Sequence, residues 1–571
     1  MGVSPATFSS AGQISQHYIP GAYSRNNFLT NEGGGASTGN ICILGYADAG
    51  EPQTLLVFDS YNDAKAELES GNLLDGIKWA FNPGNDYTPQ QVGCMRVNPG
   101  TQASLTLQSS STDIFGITSF SYGTPMNQLR ILFTTGTTTG SYKIVTDYKG
   151  EGTTTDDIIR ESMSVQYVGG DGTAATITIG EDTLTTTVTD DTDSNLSITL
   201  SEFSTISELV NFIDNQANYT ATLLTTDSTE NATDLDYVTT GDIFSDSLTL
   251  TSNYQAVYEA LVADSYLGDI TKSGTDRTVP DTSTDYVYFT GATAGSYTTS
   301  EFTDALEALE DEDIQLVSTT SEEAAVHLLI RNHCVDMNSV EGRRERQFYV
   351  GGAESEDVDA VTSRASTLNS KYGSLCSPGF YNYDDNGDYT LYSSAYYACM
   401  QVGMVSALNL NTPTTAKTMN VLSWEKNYTR SQKNTLIKGG VLCGGKNDQG
   451  SYTTIRSITT YQSASLQQNE ASIMRETLYQ AADLRNRLES GLIGAPNTGN
   501  STLATVDSIF ERAIKDWYGL GIIVAGDDSS LYQNKVVSID GDVISIQYDT
   551  YNTAPVNFVF ITHNVAVYSS T

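Results

Sequence analysis

Positive charge is scarce in this chain. Its 571 residues hold 29 Lys and Arg against 69 Asp and Glu, a formal net charge of −40, with only four histidines. Binding to a polyanion depends on cations that displace counterions from phosphate, so the deficit argues against non-specific contact with DNA, RNA or an anionic membrane surface. It favours solubility and repulsion between copies. Long apolar runs are also missing: nothing approaches the roughly 18 residues of a membrane-spanning helix. The opening MGVSPATFSS has neither the basic nor the apolar region of a secretory signal, and Ala6 stands where a myristoylation pattern needs Ser or Thr. The six cysteines (Cys42, Cys94, Cys334, Cys376, Cys399, Cys443) are scattered without a CxxC pair, the usage of buried, reduced thiols.

Signals for catalysis are equally thin. His17, His327, His333 and His563 lack the i, i+4 spacing with a central Glu of a zinc hydrolase, and the adjacent His333 and Cys334 would point to different sides of a helix. There is no GxSxG, no Walker loop and no recognisable cysteine nucleophile. YVGGAESED has half of a phosphate loop, but Glu354, Glu356 and Asp357 would occupy the first helical turn, where they suit the helix dipole and repel a nucleotide. DDNGDYTL lacks the glycine and bidentate Glu of a calcium loop and reads as a turn. The expectation is a protein that is not an enzyme and holds no cofactor and no metal.

What the chain does have is 39% hydrophobic residues, enough for several cores. Residues 1–40 read as an extended arm and linker, with Gly33, Gly34 and Gly35 as a hinge. Residues 41–105 alternate strand and helix: ICILGYA, YNDAKAELESG stopped by Gly71, LLDGIKWAF and QQVGCMRVN. Residues 106–290 change to short Thr-rich strands, with a hairpin across Gly180-Glu181-Asp182, and residues 161–271 contain 19 acids and no Lys or Arg. Residues 421–571, by contrast, hold 14 acidic and 12 basic residues, so the charge is regional and its largest share falls in one β-rich insertion, expected to be a solvated outer surface. Residues 291–440 return to α/β, with a hairpin around Asn386-Gly387. Residues 441–571 carry a strand near 451–460 and a helix with Met474, Leu478, Ala481, Leu484 and Leu488 on one stripe, ending at Gly491. A second helix follows, then a hairpin turning at Asp540-Gly541.

The closing stretch poses a question. Residues 556–567 read as a strand apolar on both faces, with Val556, Phe558 and Phe560 on one side and Val559, Ile561, Val565 and Val567 on the other. Such a strand needs partners on its edges, and chain ends are more often polar. A second oddity is the basic cluster Arg343-Arg344-Glu345-Arg346, a solvated helix end or an interface patch facing an acidic surface of another copy.

The order of these elements resembles the tail sheath proteins of contractile bacteriophages, related to pyocin and type VI secretion sheaths. Five stretches carry the resemblance: the arm IPGAYS; NICILGYADAGEPQTLLVFDSYNDAKAELESGNLLDGIKWAF ending in CMRV; LEDEDIQLVSTTS with ERQFYVGG; GVLCGGKNDQGSYTTIRSITTYQ with its long helix; and the closing hairpin and strand. They span about half the chain. The resemblance implies an α+β multidomain fold: an α/β sheath core, an inner α/β C-terminal domain, and inserted β-rich outer domains. It implies hexameric rings stacked helically around a tail tube, with baseplate and tail terminator proteins as further partners, in a virion assembled in the host cytoplasm. It also answers the question of the last strand. In this family the arm, here Ile19, Pro20, Gly21, Ala22 and Tyr23, and the C-terminal strand pair with small sheets of neighbouring subunits, and the hairpin 536–548 would be the local platform. Tube-facing or interface charge is expected from Arg475, Arg485 and Arg487, and from Arg343, Arg344 and Arg346. A β-rich phage surface, decoration or adhesin protein is the alternative.

Overall fold

In the computed structural model, the described residues are 36, 38–84, 86–274 and 277–563, together with the backbone of two strands, Ala6–Ser10 and Gln13–His17, which pair antiparallel. The chain forms two compact units: residues 39–475 with 554–571, and residues 1–38 with 476–553.

The first unit is organised by an eight-stranded sheet. Its spatial order is Tyr452–Thr454, Val441–Lys446, Gly373–Ser377, Gln347–Gly351, Leu316–Thr319, Ile41–Gly45, Val92–Arg96 and Leu55–Phe58. The six inner strands are parallel, and each edge is closed by one short antiparallel strand. Parallel strands buried on both faces read as continuous rather than alternating apolar runs, and ICILG, QFYVG and GSLCS are fully buried along their length. Helices cover both faces. Tyr61–Leu68, Asn72–Phe81 and Ser394–Ala407 share one core with the sheet. Thr299–Ala308, Ala324–Met337, Val358–Leu368 and Arg430–Lys438 share the other.

Helix Ser394–Ala407 was not legible from periodicity, because it is apolar all round. Tyr397, Ala398, Cys399, Met400, Val402 and Met404 are all buried. It packs tightly on Asn72–Phe81: a Cβ on Gly403 would lie 1.9 Å from the Ala80 carbonyl oxygen. Gly71, expected to stop the preceding helix, instead caps the start of Asn72–Phe81 with φ 117°. All six cysteines are buried and unpaired, as expected.

Between Arg96 and Leu316 the chain builds a β-rich region around two cores. One joins Gln102–Ser109, Thr112–Tyr122, Arg130–Thr135 and Tyr142–Asp147 with helix Asn253–Val262. The other joins the expected hairpin Ala174–Ile179 with Thr183–Thr189, strand Glu161–Tyr167 and helix Ile206–Asp214. The points where the chain leaves and re-enters the α/β layer are clasped together. The Arg96 guanidinium, fully buried, donates to the Gly50 carbonyl at 2.7 Å and the Ala294 carbonyl at 2.8 Å. Asn98 Nδ2 donates to the Ala47 and Ala294 carbonyls.

The second unit contains helix Ala471–Leu492 from Glu476 onward, helix Asn500–Gly519, the hairpin Gln533–Asp540 with Val543–Asp549, and the small pair Ile523–Val524 with Tyr551–Asn552. The long helix runs through Gly491 rather than stopping there. In the hairpin Asp540 pairs with Val543, so the two-residue turn is Gly541-Asp542, one residue later than expected. Gly541 supplies the positive φ of 63° that this turn requires. Among the described residues no helix is long and apolar enough to cross a membrane.

Candidate functional site

The hairpin of the second unit leaves both outer edges unpaired among the described residues. Its strands alternate half-buried and exposed residues, and the inner face packs on helix Asn500–Gly519. Phe510 meets Tyr548 edge-on at 4.8 Å between ring centres, and Lys535 bridges Asp507 at 2.9 Å and Glu511 at 3.3 Å. The two helices are joined by Asp483, whose Oδ2 accepts from Trp517 Nε1 at 2.8 Å and Arg487 Nε at 2.9 Å, while Arg487 also reaches Asp516 at 2.7 Å. The hairpin has only two strands, and each pairs with nothing else among the described residues. A two-stranded sheet alone is marginal in water. Beside it lies a groove of about 840 Å³, floored by Leu484, Leu488 and Leu492 of the long helix and walled by Ile544, Ile546 and Tyr548 of the hairpin.

The C-terminal segment bears on the question raised by its sequence. Residues 556–563 form no strand within this chain. They are extended and exposed: Val556 is 84%, Val559 74%, Phe560 93% and Ile561 87% accessible. Apolar residues of this size rarely stay so open in a run. Val565 and Val567, and the arm residues Ile19, Pro20, Gly21, Ala22 and Tyr23, lie outside the described residues.

The six arginines divide. Arg346 is not part of a surface patch. It is fully buried, and its guanidinium donates to the carbonyls of Leu309, Glu310 and Glu312 just past the end of helix Thr299–Ala308, and to His333 Nε2. Burial, then the Arg346 charge, push His333 down to about 3, so the ring is a neutral acceptor. Arg475 is likewise buried and donates to the Leu408 carbonyl at 3.2 Å. Arg487 is held by Asp483 and Asp516. Arg343 and Arg344 are exposed, and Arg485 lines the groove. Spacing along the sequence groups Arg343, Arg344 and Arg346, whereas the strand that begins at Gln347 carries Arg346 inside.

The α/β sheet offers a second place to look for chemistry. In open sheets of this type, ligands bind beyond the strand ends where the chain order reverses, here between Ile41–Gly45 and Leu316–Thr319. That crevice is filled by the protein's own groups. Asn72 Oδ1 accepts from Thr320 Oγ1 at 2.9 Å and from the Tyr46 amide at 2.8 Å, and Thr319 Oγ1 donates to the Leu44 carbonyl. Glu354 and Glu356 precede helix Val358–Leu368 rather than entering its first turn, and Asp357 caps it. The stretch around Asp384 is the tip of the hairpin Phe380–Tyr383 with Tyr389–Tyr392, as read from the sequence. Asp385 at that tip draws in Lys65 Nζ at 2.6 Å, Lys78 Nζ at 2.8 Å and the Tyr61 hydroxyl at 2.7 Å, a clasp between elements.

Comparison with known proteins agrees with the resemblance read from the sequence. Residues 295–460 match the family described as the phage tail sheath protein central domain. The tail sheath protein of Bacillus phage SP01 is 27% identical over 575 residues, covering 95% of this chain and 94% of its own length. The putative tail sheath protein of Enterococcus phage phiEF24C is 23% identical over 81% of this chain and 83% of its own. The crystal structure of the sheath tail protein from Desulfitobacterium hafniense is 12% identical with a TM-score of 0.55, covering 93% of this chain and 100% of that one, so the two share a fold. The likeness is to a structural family, not an enzymatic one.

Proposed function

We propose that this chain is the sheath subunit of a contractile phage tail. Six copies per ring stack helically around a tail tube in a metastable extended state. A signal from the baseplate lets the rings rotate and compact, driving the tube through the host envelope, and a terminator protein closes the far end. The energy is stored in alternative packings of the same subunits, as in other bistable assemblies. In this reading the second unit faces the tube, the α/β layer forms the sheath body, and the acidic β-rich region faces outward. Assembly takes place in the host cytoplasm and the product is the virion tail.

One observation carries the reading: an exposed apolar segment, residues 556–561, in a chain that also has a two-stranded hairpin with open edges and an apolar groove beside it. A strand of that pattern from a neighbouring copy would complete the sheet, its main chain giving affinity and its alternate side chains giving register. Leu484, Leu488, Ile544 and Ile546 are the groups it would cover. The arm at residues 19–23 would serve another neighbour in the same way. Negative-stain microscopy of the full chain and of a version truncated after Ala554 tests this. Hollow cylinders from the full chain only are expected. Cylinders from both return the segment to its own subunit, and folded monomers from both, even with tube protein, favour a decoration or adhesin protein.

A further inference from the structure

Before any neighbour arrives, residues 554–563 have to be somewhere, and the structure places them on their own chain by an unusual attachment. No main-chain hydrogen bond joins this segment to any described residue; the last one is Thr553 N to the Ile522 carbonyl at 3.1 Å. Two side chains hold it instead. Asn557 Nδ2 donates to Glu470 Oε2 at 3.1 Å, and the Phe558 ring lies over the Arg456 guanidinium, 5.6 Å from its centre. Glu470 and Arg456 face each other at 3.8 Å, an ion pair too long for a hydrogen bond. Glu470 is fully buried in the turn before helix Ala471–Leu492, while Arg456 follows strand Tyr452–Thr454 at the sheet edge. One acid and one base from the body therefore receive two successive residues of the segment.

The attachment is also incomplete. Glu470 Oε1, Arg456 Nε and Asn557 Oδ1 are buried and make no hydrogen bond among the described residues. A buried polar atom without a partner is destabilising, so this docked state holds the segment less firmly than a full sheet ladder would. Its apolar side chains remain outward, and its backbone donors and acceptors remain open.

We infer that Glu470 and Arg456 form a releasable latch that parks the C-terminal segment on its own subunit through Asn557 and Phe558, and that opening the latch precedes strand addition to a neighbour. The occupant is this chain's own segment, and the second clause rests on the sheath reading above. Parking has a purpose that physics supplies. A free apolar strand with an unpaired edge pairs indiscriminately with other copies. A latch limits its reach until a correctly placed hairpin offers a complete ladder.

The latch and the exchange are tested by different readouts. In purified monomer, chymotrypsin cleavage after Phe558 reports how long the segment stays docked. Arg456→Ala is expected to raise that rate about five-fold, as for loss of one partly exposed cation–π contact, and Asn557→Ala, which leaves the body intact, to raise it by a similar factor. Light scattering during assembly is expected to show a shorter lag for both variants. Cleavage equal to wild type in both variants overturns the latch, whatever assembly does. Faster cleavage with an unchanged lag overturns its role before strand addition. Thermal melting of each variant separates local release from global unfolding, and a drop in melting temperature confined to Arg456→Ala leaves Asn557→Ala to decide. If truncation after Ala554 still gives cylinders, strand exchange fails while the cleavage result stands on its own.

Discussion

Single residues in this chain show how burial sets charge. Glu476 is fully buried on helix Ala471–Leu492, and burial raises its carboxyl from 4.5 to about 9. Glu470 is raised to about 7 by burial, opposed by Arg456 and Asn557. For an acid whose folded value exceeds its unfolded one, the native state holds the proton longer, so stability is greatest below pH 4.5 and falls as pH rises towards the folded value. Replacing Glu476 by Gln removes that slope. The variant is expected to exceed wild type by on the order of a few kcal/mol at pH 8 and to match it near pH 4; urea unfolding at the two pH values checks this. An equal difference at both would mean the carboxyl is not the cause. Arg346 makes the opposite case. Arg346→Ala strips a charged donor from three carbonyls and is expected to cost about 3 kcal/mol or more, whereas Arg344→Ala, at the surface, should stay within about 0.5 kcal/mol. The cluster was visible in the sequence, but the division within it was not. Which of three near-adjacent arginines turns inward depends on where helix Thr299–Ala308 ends, about forty residues earlier.

At the scale of elements, legibility followed the pattern of burial. The helix over 61–68 and the hairpins at 174–189 and 533–549 were readable because their apolar periods match their geometry, and the strand ICILG because a short continuous apolar run is the mark of a buried parallel strand. Helix Ser394–Ala407 was hidden, since a helix buried on all sides has no period. The C-terminal segment makes a related case. Its composition specifies a strand, but a strand exists only with a partner, and among the described residues it has none. That contrast yields a prediction. Val559→Asp lies on an open surface, so monomer melting should be nearly unchanged, while cylinder formation should be lost. Ile546→Asp, on the hairpin wall of the groove, should also abolish cylinders. A truncated chain lacking the segment but retaining the groove should bind a synthetic peptide spanning 554–571, and the Ile546→Asp version should not.

Over the whole molecule, charge is the dominant long-range term. The acids concentrated over residues 161–271 lie in the region carrying two small β cores. If that region faces outward, repulsion between neighbouring copies opposes close packing and weakens as salt rises. Between about 0.01 and 1 M salt the screening length falls from about 30 to 3 Å. Contraction of assembled sheaths, followed by microscopy, should therefore be easier at high salt; insensitivity to salt would remove electrostatic repulsion as a brake. Two features of the molecule were beyond sequence reading: the Arg96 and Asn98 clasp that closes the base of the insertion on Ala294, and the filled crevice at Asn72. Both join residues about 200 or more positions apart, where local patterns carry no information.

The short antiparallel strands that close each side of the central sheet have a further consequence. Leu55–Phe58 and Tyr452–Thr454 leave the sheet without a long parallel edge on which another copy could continue it. Under the sheath reading, a subunit that polymerises would thus keep its largest sheet as a dead end. On the strand-addition proposal, growth would instead use the small hairpin, where one strand at a time would be accepted and alternate side chains would check register. Fibrous aggregation and ordered polymerisation use the same hydrogen bonds. On that proposal, what would separate them in this chain is which edges are left open for another copy to read.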